Sequence, residues 1–167
     1  HASNGQLIIS DSEISEYGDL VDFKSQRIFQ AANVFATDLA LKTLHQKFLV
    51  EPEPGGPSEP VGITYSPVDG AVYVTDDDQC KIYRYPYNEN VRFGPPTAEI
   101  STSADGSHSD PEGITCDPVT GELFVVSGTQ EEKILRYRFN SATNRFILLG
   151  TFPISDHIRD PEGIACD

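Results

Sequence analysis

From residue 59 the chain falls into short apolar runs separated by turn residues. Residues 59–85 read EPVGITYSPVDGAVYVTDDDQCKIYRY, and residues 110–137 read DPEGITCDPVTGELFVVSGTQEEKILRY, the same order with one extra residue before the last run. Runs of this length, rich in Val, Ile, Tyr and Thr and bounded by Pro and Gly, predict β-strands. GITYS or GITCD is a first strand. SPVDG or DPVTG then places Pro early in a tight turn and Gly where a positive φ is needed, which is hairpin chemistry. AVYVT or ELFVV is the second strand, KIYRY or KILRYRF the third, with apolar and charged residues alternating, and TAEIST or RFILLGTF the fourth. DPEGIACD (160–167) opens another copy, while NGQLIISDSE (4–13) and NVFATDL (33–39) match the second-strand and third-strand regions.

Four strands per roughly 50 residues, with no amphipathic helix between them, is the signature of a β-propeller blade. A β-sandwich of unrelated hairpins does not predict copies in register. The expected fold is therefore all-β, a β-propeller with about three blade equivalents of four antiparallel strands. The first blade covers 1–52, lacks strand one, and is interrupted at 14–32 by a long loop or a short helix. The second covers 59–102, the third 110–155, and 160–167 is strand one of a further blade. The connector EPEPGGPSEP (51–60) is dense in Pro and reads as extended. Three blades are too few to close a ring. Closure is expected from further sequence, as part of a six-bladed propeller; from a second chain; or from donation of residues 163–167 into the first blade of the next subunit, which builds a filament.

Composition narrows the partners. With 26 Asp and Glu against 12 Lys and Arg, the 167 residues carry a formal charge of −14, which repels phosphate backbones and anionic membranes, so nucleic acid is excluded as a partner. Hydrophobic residues make up 38%, enough for a core, and no apolar run reaches membrane-spanning length. The chain contains no Met, and HASNGQ lacks the basic and apolar regions of a signal peptide, so a processed chain or a fragment is expected. Three Cys do not make a disulfide scaffold. Cys116 and Cys166 take the repeat position of Tyr65 and read as buried small apolar groups. Arg84 and Arg136 alternate with apolar neighbours and read as solvated or cross-strand ion-pair residues.

The acids follow the repeat. Strands of a blade run alternately up and down, so the loop before strand one and the loop joining strands two and three open on one face. That rim gathers Asp110 and Glu112, Asp160 and Glu162, Asp11 and Glu13, and Asp76, Asp77 and Asp78. Glu112 and Glu162 stand immediately before the strand-one Gly, near the channel mouth, where the second blade has Val61. Hard oxygen ligands from several loops suit Ca²⁺, so the candidate metal ligands are Glu112, Glu162, Asp110, Asp160, Asp76, Asp77, Asp11 and Glu13. The competing role for each Asp is capping of a turn. No EF-hand loop, G-x-S-x-G elbow, paired His metal motif or phosphate-cradling Gly loop is present. His108 and His157 precede the two DPEG motifs and are the catalytic candidates, as a base beside carboxylates or as ligands.

DPEGITCDPVTGELFVVS, EPVGITYSPVDGAVYVTDDD and LIISDSE together resemble blades of six-bladed propellers in the broad group of the NHL, gluconolactonase and phytase-esterase-like families. The resemblance is greatest to secreted bacterial propellers with SDSE and PEGI motifs, and it covers nearly the whole chain except 14–32. In the gluconolactonase-like branch it implies a metal-binding Glu just before the strand-one Gly, matched in position by Glu112 or Glu162; the branch's Asn and Asp ligands have no counterpart. In the phytase-like branch it implies several Ca²⁺ ions in an acidic cleft. The expected function is a secreted or cell-surface binding or assembly module, extracellular or periplasmic, with a Ca²⁺-binding rim and self-association through the N-terminal blade and residues 163–167. The alternatives are a metal-dependent hydrolase of lactones or phosphate esters, and a subunit of an extracellular filament formed by strand donation.

Overall fold

The structure is a computed structural model that describes residues 56–87, 95–103, 109–128 and 132–166 in full, and the backbone of six strands between residues 2 and 49. These six are β1 (Ala2–Ser3), β2 (Gln6–Asp11), β3 (Leu20–Val21), β4 (Ile28–Phe29), β5 (Asn33–Asp38) and β6 (Leu44–Leu49). They form a sheet in the order β1-β2-β5-β6 and a separate β3-β4 pair. The first sheet thus has a short strand, β1, paired to β2 through Ala2–Leu7 and Ser3–Gln6, where the sequence suggested none. The β3-β4 ladder lies inside the 14–32 interruption, which was expected to be a loop or helix.

Two further four-stranded antiparallel sheets carry the full repeats. One holds β7 (Pro60–Ser66), β8 (Ala71–Asp76), β9 (Lys81–Pro86) and β10 (Ala98–Ser101); the other holds β11 (Pro111–Cys116), β12 (Glu122–Ser127), β13 (Lys133–Asn140) and β14 (Arg145–Pro153). Within each, neighbours in sequence are neighbours in space. Pro60 and Pro111 each occupy the first position of an inner strand, where the missing N–H interrupts no ladder. The turns after β7 and β11 close on Gly70 and Gly121 at φ 60° and 72°, the positive values the sequence required. In the second of these turns Thr120 Oγ1 donates to Asp117 Oδ2 at 2.7 Å and Asp117 Oδ1 accepts from Val119 N–H and Thr120 N–H, an Asx turn whose hydrogen bonds, the Thr120 hydroxyl first, hold the Asp117 carboxyl below its ordinary range.

The core lies between sheets. Tyr73 and Ile82 of one sheet pack with Leu123, Val125, Leu135 and Tyr137 of the next, all essentially buried. Phe139 and Phe146 close the outer end, edge-on to each other and to Tyr73. Arg84 also belongs to this interface: its guanidinium pairs with Asp69 at 3.0 Å and lies 4.4 Å from the Phe139 ring centroid of the following sheet. Arg136, at the same repeat position, pairs across its own sheet with Glu122. Arg136 is therefore a cross-strand ion-pair residue, and Arg84 an ion-pair residue whose partner stands in the β7–β8 turn.

Close approach of inner strands explains the repeated Gly. A Cβ on Gly62 would lie 2.5 Å from Glu112 O and 3.0 Å from Ile114 N of the next inner strand, and one on Gly113 would lie 2.8 Å from Gly163 Cα. Residues 160–166 thus run beside β11 as the inner strand of a following blade would. They make no ladder; Cys166 N–H donates to Thr115 Oγ1 at 3.2 Å. Cys116 is buried as expected, whereas Cys166 is exposed because nothing described packs on the far side of this segment.

Candidate metal centre

Both inner strands slip register at the same place, between Pro60 and Ile63 and between Pro111 and Ile114. Val61–Gly62 and Glu112–Gly113 therefore form β-bulges, which bend a strand end and re-aim its side chains. In the second copy the residue so placed is Glu112. The turn from β8 to β9 reaches the same spot from the preceding sheet: Asp77 N–H donates to Glu59 O, and Cys80, in a left-handed conformation at φ 50°, closes the turn by donating to Asp77 O. The result is one cluster built from two sheets. Asp77, Asp110 and Glu112 present carboxylate oxygens that all lie within 4.8 Å of one another, each half-buried.

The electrostatics of the cluster are those of anions held together. Asp77 is pushed up to about 7 by its hydrogen bond with the Asp110 carboxyl, then by burial and by the charges of Asp110, Glu112 and Glu59. Glu112 is also pushed up to about 7, chiefly by burial and then by Glu162, Asp110, Asp160 and Glu59. A cation placed among the three would remove the mutual repulsion, and hard oxygens at flexible geometry are the donor set for Ca²⁺. The residues present therefore fit such an ion, with main-chain oxygen and water completing six to eight positions.

The other expected rim residues take different places. Asp76 is fully buried, and its carboxylate accepts from the backbone N–H of Ser58, Glu59 and Gln79. It ties the connector and the β8–β9 turn together and so is a structural anchor, not an open ligand; Ser127 Oγ, accepting from Asp110 N–H at 3.1 Å, does the same in the next sheet. Asp78, exposed, accepts from Ser58 Oγ. Asp160 and Glu162 are exposed and outside the three-residue cluster, though their charges act on Glu112. Their own copy lacks the partner acid, because Gly128 stands where the preceding sheet has Asp77. His157 is exposed and is not brought into the cluster. His108, Glu13 and the side chain of Asp11 lie outside the described residues. Sequence reasoning passed over Glu59, whose charge raises both Asp77 and Glu112; its signal was the repeat itself, since EPVG aligns it with Asp110.

Sheets with successive antiparallel strands from inside to outside, joined inner strand beside inner strand, are the blades of a β-propeller, and this chain is a partial propeller. Solved structures of that fold resemble it. A gluconolactonase from Xanthomonas campestris is 18% identical over 91% of this chain and 44% of its own, with a TM-score of 0.56. The nidogen/laminin complex is 18% identical over 96% and 48%, TM-score 0.56. The calcium-binding protein regucalcin from Agrobacterium tumefaciens is 19% identical over 81% and 40%, TM-score 0.52. At these identities the likeness establishes the fold. The chain spans less than half the length of each of these three structures. No family model matches the chain, and no curated protein matches it. Among the described residues no helix is long and apolar enough to cross a membrane.

Proposed function

We propose that this chain is the cation-binding part of a secreted or cell-surface propeller that serves as a binding module, with Ca²⁺ held on its acidic rim by Asp77, Asp110 and Glu112. The observation that carries the reading is the convergence of these three half-buried carboxylates within 4.8 Å from two separate blades. Held as anions without a counter-ion they repel one another; a divalent ion converts that repulsion into a bridge between blades. The calcium-binding regucalcin among the similar structures supports the choice of ion, and the nidogen/laminin complex supports a binding role for a propeller of this kind.

Titration of Ca²⁺ into the chain stripped with EDTA tests the reading by calorimetry. One site is expected, weakened at least about tenfold by Asp77→Asn or Glu112→Gln, together with a rise in melting midpoint on adding Ca²⁺. An unchanged midpoint and no binding heat would sink it.

A second reading, a metal-dependent hydrolase of lactones or phosphate esters, draws on the position of Glu112 just before the strand-one Gly and on the gluconolactonase among the similar structures. Hydrolysis of a simple lactone or of p-nitrophenyl phosphate that requires the divalent ion and is lost in Glu112→Gln would favour it over the binding module.

A further inference from the structure

The two bulges interrupt the regular register of their ladders, and one side chain binds backbone groups of both. Thr75, wholly buried on β8, accepts from Gly62 N–H at 2.9 Å and donates to Glu112 O at 2.7 Å. Gly62 and Glu112 are bulge residues of two successive inner strands. A single hydroxyl therefore binds the bulge amide of its own blade and the bulge carbonyl of the next, Glu112 O being the nearer acceptor for its proton and Gly62 O lying at 3.3 Å, and Glu112 is the residue whose carboxylate enters the candidate cation site. Few groups can do this, since the position needs a donor and an acceptor on one small atom.

The repeat supplies an internal control. At the position of Thr75 the next blade has Val126, which has no hydroxyl, and two residues on it has Gly128 in place of Asp77. In that copy the residue equivalent to Glu112, Glu162, is exposed, on a segment whose far side no described residue covers. The hydroxyl, the partner acid and the half-buried Glu thus occur together in one copy and are missing together in the other.

Resting on the cation reading above, we infer that Thr75 is a positioning residue of the site: its hydroxyl fixes the Glu112 bulge against the preceding blade and so sets the distance from Glu112 to Asp77 and Asp110. A methyl in place of Oγ1 removes both hydrogen bonds. It also presses on Glu112 O, because carbon and oxygen need roughly 3.3 Å or more, so the bulge must retreat by about half an ångström. Groups that orient metal ligands in this way are worth about ten- to a hundredfold in affinity.

The test compares Thr75→Val and Thr75→Ser with the wild-type chain in two measurements. In EDTA, exchange of the Gly62 amide with solvent deuterium is expected to stay slow in Thr75→Ser and to accelerate in Thr75→Val. With Ca²⁺ alone as the probe, affinity is expected to fall about tenfold in Thr75→Val and to be recovered in Thr75→Ser. Should Thr75→Val fail to fold, Thr75→Ala, which deletes the hydroxyl without pressing on Glu112, is read in the same two ways. Loss of Gly62 protection with unchanged Ca²⁺ affinity would overturn the inference and make the hydroxyl a structural bridge only. Absence of Ca²⁺ binding by the wild-type chain would overturn the site itself, whatever the variants do.

Discussion

Removing one charge from the cluster should stabilise the cation-free chain, by an amount that grows from about pH 4 and is complete above about pH 7. Asp77 titrates near 7 in the folded chain against an ordinary 3.8, raised first by its hydrogen bond with Asp110 and then by burial. A carboxyl raised in this way contributes stability that is complete below its unfolded value and is lost as pH rises through its folded one. In EDTA the wild-type chain is therefore expected to lose stability between about pH 4 and pH 7, and Asp77→Asn, which cannot ionise but can still donate to Asp110, is expected to lose less, keeping only the share that the raised Glu112 carboxyl contributes. Taken whole, the displacement corresponds to about 4 kcal/mol, at ~1.4 kcal/mol per tenfold. Asp77 is only half-buried and shares its proton with Asp110, so screening by solvent and the coupling of the pair reduce this to about 1–2 kcal/mol. Urea unfolding at pH 8 and near pH 4 measures it, followed by tyrosine fluorescence because the chain has 7 Tyr and no Trp. Asp77→Asn should be the more stable protein at pH 8 and no different near pH 4. In saturating Ca²⁺ the offset should shrink or reverse, since a site at least about tenfold weaker gives the variant at least ~1.4 kcal/mol less binding free energy than the wild type gains. A variant less stable than wild type at pH 8 in EDTA, or an offset that ignores pH, would refute the reasoning.

Thermal denaturation of three glycine variants separates inner strands that are backed from one that is not. Gly62→Ala, with its Cβ 2.5 Å from Glu112 O, and Gly113→Ala, 2.8 Å from Gly163 Cα, should each cost about 2–3 kcal/mol, while Gly163→Ala, with nothing within 4 Å, should be neutral. Asp76→Ala orphans the N–H groups of Ser58, Glu59 and Gln79 and should cost about 2–4 kcal/mol, the same in EDTA and in Ca²⁺; a cation-dependent loss would return Asp76 to the ligands. Arg84→Ala leaves the Asp69 carboxylate uncompensated between blades and uncovers Phe139, for a loss of about 2–3 kcal/mol in urea; a loss under 0.5 kcal/mol would mean the pair is solvated.

The fold was legible because a propeller writes its period into the chain: DPEGI recurs, Gly70 and Gly121 mark equivalent turns, and apolar runs keep their order. The rim was legible as a face and not as a site, for two reasons visible in particular residues. Asp76 and Asp77 are adjacent and chemically alike, yet Asp76 ends β8 with its carboxylate on the amides of Ser58 and Glu59, while Asp77 opens the turn and meets Asp110 and Glu112. Nothing in TDDD says which is which; that depends on where the connector returns. The bulge is hidden for a related reason. A one-residue slip between Pro111 and Ile114 leaves the hydrophobic pattern of PEGITC unchanged while re-aiming Glu112, and it is stabilised from outside the strand, by Thr75 of the preceding blade. Thr75 reads in sequence as one more β-branched strand residue. Its second contact, with Glu112 O, exists only once neighbouring blades are packed together. Thr75 against Val126 and Asp77 against Gly128 are positions at which a copied scaffold differs between blades, and the proposed site rests on those differences.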